Sequence, residues 1–175
     1  MLFLVPLLLA ERCEEPSLAD KEKLFGPNTP RVIEAFAQEN MRYLEPWRIF
    51  INAEDADGDM ARIDAVVQLS GASPQFVSLR LKERFRRRAA GYLWVSLFLN
   101  QAHVSHILQV TLYLEDKAGH RSQERSFTLH ISGHPFPAEV EKVRDFARRY
   151  PEAIGPLNVD RFQFLEGNEG RDGMP

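Results

Sequence analysis

The sequence predicts an all-β protein: an antiparallel β-sandwich of about seven strands, followed by a C-terminal amphipathic helix. Six short segments have the apolar and alternating patterns of strands, at residues 47–53, 63–69, 76–81, 92–99, 107–114 and 126–131. Most are separated by turn residues and not by helical segments, which disfavours a parallel α/β sheet. An apolar content of 44%, with 12 Phe, is ample for a core in a chain of 175 residues.

The first ten residues are almost wholly apolar. Their run is shorter than the ~20 residues that span a bilayer, and its length fits the hydrophobic part of a secretory signal. No Lys or Arg precedes Arg12, so the basic start of such a signal is missing. We therefore interpret residues 1–12 as a truncated export signal and predict an exported, periplasmic or cell-surface protein. The alternative is an unprocessed apolar tail or a start codon placed too far downstream.

The single cysteine, Cys13, follows this apolar run, where a bacterial lipoprotein carries its lipid. Residues 9–12 lack the small side chains that normally precede such a cysteine, so a lipid anchor is only a minor alternative. One cysteine also excludes an intrachain disulfide.

Residues 13–30 are polar and contain three prolines, which predicts a linker with one helical turn around residues 20–24. Residues 31–37 could form the seventh strand or a short helix, because periodicity does not decide between them. We assign residues 31–133 to the sandwich.

Residues 134–166 are predicted as an extension that contains a helix and a short strand. The helix covers residues 138–150, with an apolar stripe, acidic residues near its start and basic residues near its end. Residues 162–164 would form the strand, and residues 167–175 a disordered tail.

Three aspartates at alternate positions, Asp55, Asp57 and Asp59, surround Gly58 in the predicted first turn. Calcium prefers six to eight oxygen ligands, and clustered carboxylates can supply several. An EF-hand register fails because its first position falls on Ala53. A different calcium site, with Asp116 from another turn, remains open. The commoner alternative is a solvated hairpin turn, where Asp and Gly are favoured.

Two histidine pairs, His103 with His106 and His130 with His134, are candidate metal ligands. Only a helix would bring the first pair to one ion, and Gly133 breaks any helix around the second. We interpret these residues as surface or loop histidines.

A basic run predicts an exposed loop that could face an acidic partner, with phosphate or an anionic polysaccharide as alternative ligands. Its members are Lys82, Arg84, Arg86, Arg87 and Arg88. The net charge of −3 and the scarcity of nearby aromatic residues argue against nucleic acid.

Two tryptophans, Trp47 and Trp94, could stack on sugars, but Trp94 lies in a highly apolar run that favours the core. No nucleophile-elbow motif, phosphate loop or suitably placed Cys/His pair is present, so no catalytic residue and no enzyme activity are predicted.

Residues 46–132 resemble the bacterial immunoglobulin-like or fibronectin-III-like modules of exported proteins. The resemblance rests on two turns, Ala-Glu-Asp-Ala-Asp-Gly-Asp at residues 53–59 and Leu-Glu-Asp-Lys-Ala-Gly-His-Arg-Ser at residues 114–122, where His120 replaces the usual Asn. It implies an immunoglobulin-like, non-catalytic module used for adhesion, spacing or protein contact, and it transfers no binding residue.

The expected partner is another protein or the cell envelope, with no nucleic acid and no membrane span. A calcium-stabilised or carbohydrate-binding β-sandwich module is the alternative.

Overall fold

The structure is a computed structural model that describes residues 15–41, 46–96, 106–131 and 136–159. These ranges contain two α-helices and nine strands. In chain order they are α1 Leu18–Phe25, β1 Arg31–Ala37, β2 Asn40–Met41, β3 Trp47–Glu54, β4 Met60–Leu69, β5 Gln75–Arg80, β6 Arg88–Val95, β7 His106–Asp116, β8 Arg125–Ile131, α2 Pro137–Arg149 and β9 Ala153–Leu157. A short 3-10 turn, Glu83–Phe85, precedes β6.

The strands form two sheets. Sheet A has the order β1-β3-β6-β9, and sheet B has the order β2-β8-β7-β4-β5. The β-rich class is therefore confirmed, but the purely antiparallel arrangement is wrong, since β2 runs parallel to β8 and β9 runs parallel to β6. The physical reason for the second parallel pair is the crossover through α2, which returns the chain to sheet A in the direction of β6.

One hydrophobic core joins the two sheets. Trp47, Ile49 and Ile51 of β3 contribute from sheet A, and they belong to the same buried cluster as side chains of β4, β7 and β8 in sheet B. The predicted apolar face of β7 is confirmed, because Leu108, Val110, Leu112 and Leu114 are all fully buried. Burial of alternate residues is what fixes the register of such strands.

Helix α2 confirms the predicted C-terminal helix and covers the outer face of sheet A. Phe146 is buried there, with its ring centroid 4.7 Å from that of Phe36 and 5.8 Å from that of Phe50. Phe50 lies on the opposite face of β3 from Ile49 and Ile51, so this strand is covered on both sides.

Strands occur at all seven predicted places, and residues 31–37 form β1. Residues 97–99 of the predicted strand 92–99 lie outside the described residues. The sequence analysis missed β2 and β9, and it predicted one helical turn where α1 forms two turns within residues 18–25. The predicted strand at residues 162–164 and the tail lie outside the described residues.

Neither α-helix of the described ranges is long and apolar enough to cross a membrane. Residues 1–12 and Cys13, on which the predictions of export and of a lipid anchor depend, lie outside the described residues.

Candidate cation site

The three predicted aspartates converge at the corner between β3 and β4. One carboxylate oxygen from each of Asp55, Asp57 and Asp59 lies within 4.8 Å of the others. Backbone hydrogen bonds hold this acidic corner against the residues before β6: Asp55 N–H donates to the carbonyl of Arg87 and Met60 N–H to that of Arg86, both at 3.0 Å. The turn is therefore anchored on both sides of the carboxylates.

Two of these carboxylates are buried and only partly satisfied. Asp55 is 3% exposed and Asp59 is 6% exposed. Oδ2 of Asp55 accepts the N–H of Asp59 at 2.9 Å, and Oδ2 of Asp59 accepts the N–H of Lys117 at 3.3 Å. The Oδ1 atom of each residue is buried without a hydrogen-bond donor among the described residues. Buried acceptors normally find a partner, so these two oxygens are placed to accept a cation, a water molecule or a shared proton.

The pKa of Asp59 is raised to about 7. Burial is the main cause, because it disfavours the charged form. A hydrogen bond with the Asp55 carboxyl also raises the pKa, and the negative charges of Asp116 and Asp55 disfavour a further negative charge on Asp59. The same features that favour a proton on Asp59 also favour a cation.

Asp116, the fourth ligand considered from the sequence, lies beside Asp59 but has other partners. Its Oδ1 accepts the N–H groups of Gly119 and His120 at 2.7 and 2.8 Å, and its Oδ2 lies 2.8 Å from Nδ1 of His120. Asp116 therefore adds negative charge to the corner, while its oxygens organise the turn after β7.

The segment before β1 closes over the acidic corner; we call residues 17–30 the N-terminal arm. Asn28 donates its backbone N–H to Oδ2 of Asp57 and its side-chain N–H to Oδ1, both at 2.7 Å. On α1, Oε1 of Glu22 lies 3.0 Å from Nε2 of His120. The residues predicted as a linker are thus fixed to the corner by polar contacts at two points.

His120 has a carboxylate oxygen at each ring nitrogen. Since both neighbours can only accept when ionised, the charged imidazolium suits this position, and the pKa of His120 is raised by the hydrogen bond to Glu22 and then by that to Asp116. The sequence analysis recorded His120 only as a departure from a turn pattern. The four-residue spacing between Asp116 and His120 could have indicated their contact. No local pattern indicated the contacts of Glu22 and Asn28.

The other histidine candidates are not brought together in the described residues. His106 is buried at the start of β7, and His130 is exposed on β8. The partners proposed for them, His103 and His134, lie outside the described residues.

The basic run is divided by the fold. Arg84 pairs with Glu152 at 2.8 Å, and Arg86 pairs with Glu83 at 3.0 Å. Lys82 and Arg87 are exposed, and Arg88 begins β6. The run is therefore not a single continuous charged loop.

The two tryptophans have different environments. Trp47 is fully buried and donates its Nε1–H to the carbonyl of Gln38 at 2.9 Å. The prediction that Trp94 packs in the core is wrong: alternation along β6 turns Leu93 inward and Trp94 outward, where it is half-buried. With Tyr92 and Arg48 it lines a shallow groove of about 320 Å³.

No protein-family model, curated protein or solved structure matches this chain. Function is therefore inferred from the geometry of the acidic corner and its surroundings.

Proposed function

We propose that the protein is a non-catalytic, immunoglobulin-like β-sandwich module of an exported bacterial protein, and that a calcium ion at the acidic corner stabilises it. Its role is structural or protein-binding, with another protein or the cell envelope as partner. The resemblance of the turns at residues 53–59 and 114–122 supports the immunoglobulin-like assignment, and the apolar N-terminal segment supports export.

The observation that carries the calcium proposal is the pair of buried Oδ1 atoms, on Asp55 and Asp59, that lack a donor among the described residues. An acidic turn open to solvent would have its oxygens hydrated. Here the carboxylates are desolvated and adjacent, so their mutual repulsion is costly unless a positive charge lies between them.

Calcium is the ion that best suits these ligands. The three residues offer only carboxylate oxygens, and hard oxygen donors favour Ca²⁺ over the softer transition metals. Calcium also tolerates irregular geometry, which suits a turn whose ligands come from alternate positions of one segment.

The ion would join parts of the chain that are distant in sequence. Asp57 contacts the N-terminal arm through Asn28, and Asp59 contacts the turn after β7 through Lys117. A cation bound to both aspartates would therefore stabilise the corner, the arm and that turn together.

Thermal unfolding in calcium and in chelator tests this proposal. Calcium at a hundred times its dissociation constant adds about 2.7 kcal/mol of stability, which raises the midpoint by roughly 5–10 °C in a chain of this size. Asp55→Asn should lose this shift. Asp145→Asn serves as the matched control, because Asp145 is a half-exposed aspartate on α2 whose ion pairs within the described ranges are with Arg148 and Arg149 of the same helix.

An unchanged midpoint in calcium for the wild-type protein would refute the calcium site. A shift of equal size with magnesium would refute the selectivity for calcium while leaving a divalent-cation site.

A further inference from the structure

A cleft of about 530 Å³ lies beside the acidic corner, between the N-terminal arm, the end of β3 and the start of β6. Three arginines and two carboxylates are the charged residues of its lining: Arg31, Arg87, Arg88, Glu54 and Asp55. The volume falls within the range of pockets that bind small ligands or single peptide side chains. Asp55 belongs both to this cleft and to the proposed calcium site.

The arginines of the cleft lack carboxylate partners. Among the residues that the structure describes, neither Arg31 nor Arg87 forms an ion pair, and Arg88 donates only to the neutral Oδ1 of Asn52 at 3.3 Å. Arg84 and Arg86 of the same basic run are each paired with a glutamate. Three guanidinium groups without an ion pair thus line this one cleft.

Arg87 also lies against the acidic corner. A Cβ atom added to Gly58 would be 3.2 Å from both Nε and Nη2 of Arg87. In the part of the chain that the structure describes, Arg87 nevertheless forms no ion pair with Asp57 or Asp59, the sequence neighbours of Gly58. Its guanidinium is therefore free to bind a carboxylate that enters from solvent.

We propose that this cleft binds an acidic peptide segment of a partner protein, and that bound calcium is required for strong binding. The inference rests on the proposed calcium site. Without the cation, the charge of Asp55 opposes an incoming carboxylate. With the cation in place, that charge is neutralised, and the three arginines outnumber Glu54, the one other carboxylate of the lining among the described residues.

A peptide fits this cleft better than an acidic sugar does. The described lining residues include no aromatic ring on which a sugar could stack. Arg31 is also the first residue of β1, the outermost strand of sheet A. An extended segment that adds along this edge would bring its side chains to the cleft.

Isothermal titration of the full chain with a blocked Gly-Glu-Glu-Gly peptide tests the proposal, in excess calcium and again in chelator. Blank titrations of calcium into the peptide correct for direct binding between them. The double variant Arg31→Gln/Arg87→Gln removes two guanidinium charges. Arg148→Gln is the control, because Arg148 is exposed on α2 and its nearest acidic partner, Asp145, is 3.9 Å away.

In calcium, we expect measurable binding that weakens about fivefold or more in the double variant and is unchanged in the control. In chelator, the wild-type protein should bind more weakly by a similar factor. Calcium binding, titrated separately, should be retained or strengthened in the double variant, because Arg87 no longer repels the ion.

Failure of the peptide to bind the calcium-loaded wild-type protein would overturn this inference and leave the calcium site standing. Equal binding of a blocked Gly-Gln-Gln-Gly peptide, or tighter binding of digalacturonate, would overturn the acidic-peptide assignment. Absence of calcium binding in the separate titration would instead overturn the proposed function.

Discussion

Nε2 of His120 lies 3.0 Å from Oε1 of Glu22, a residue 98 positions earlier in the chain. The other ring nitrogen contacts Asp116, which is fully buried at its side chain. His120 therefore links the turn after β7 to the N-terminal arm, next to the acidic corner.

Replacement of Glu22 by Gln should loosen the N-terminal arm. The variant loses the charged partner that holds His120 and leaves Asn28 as the main polar attachment. Amide hydrogen exchange in residues 17–30 should become faster, while exchange in β3 and β7 should change little. Glu141→Gln is the control, because Glu141 is exposed on α2 and pairs with Arg144 of the same helix, away from the arm. Equal exchange in both variants would refute the role of Glu22.

The attachment should also weaken as the pH rises. The pKa of His120 is raised in the folded protein, so its stabilising contribution is fully present below the unfolded value of 6.5 and is lost as the pH passes through the folded value. After correction for the faster intrinsic exchange of amides at higher pH, the protection factors of the arm in the wild-type protein should therefore decrease above neutral pH. In Glu22→Gln this decrease should be smaller, since the largest cause of the raised pKa is gone.

Asp59→Asn should have opposite effects with and without calcium. In chelator, at a pH above the Asp59 pKa of about 7, the amide removes one buried charge and can donate to Asp55, so the unfolding free energy should increase by about 1–2 kcal/mol. In calcium, the variant should show no stabilisation, because a ligand carboxylate has been lost. Chemical denaturation under both conditions measures the two effects. A variant that is less stable than the wild-type protein in chelator would contradict the proposed repulsion at the corner.

The stability of the calcium-free protein should fall between about pH 4 and pH 7. Asp59 has a folded pKa of about 7 against an ordinary value of 3.8, so the folded state holds the extra proton across this window. Stability then decreases as the pH rises, by about 2–4 kcal/mol for this group. Urea unfolding at several pH values in chelator measures the slope. If the unfolding free energy of Asp59→Asn changes with pH to the same extent, the pH dependence comes from another residue.

Alanine at Gly26 should detach the arm from Asp57. Gly26 has a φ of +105°, and a Cβ there would overlap the carboxyl group of Asp57. Gly119→Ala is a matched control, because Gly119 has a φ of +103° and nothing within 4 Å of the added atom. Both variants carry similar backbone strain, so the difference between them measures the clash. We expect calcium to stabilise Gly119→Ala more than Gly26→Ala.

Local patterns were sufficient for most of the fold. The alternation in β7 placed Leu108, Val110 and Leu112 on the buried face, and the stripe in α2 identified Phe146 as a packing residue. The two strands that were missed lack such signals. β2 has only two residues, and β9 contains Gly155 and Pro156, both of which are disfavoured in strands.

The candidate site was predictable in its ligands and not in its environment. The spacing of Asp55, Asp57 and Asp59 indicated a shared turn. The burial that distinguishes this turn from a solvated one comes from contacts with Lys117, Asn28 and Arg87, which are distant in sequence. No local pattern reports such contacts, and the same holds for the pairing of His120 with Glu22.

The parallel pairing of β9 with β6 affects how the chain folds during synthesis. β6 is complete at Val95, but the strand that covers its second edge is made only when residues 153–157 emerge. Until then, the backbone groups along Tyr92–Val95 form an open sheet edge beside exposed aromatic side chains. Nascent chains that end before β9 are therefore the species most prone to edge-to-edge aggregation.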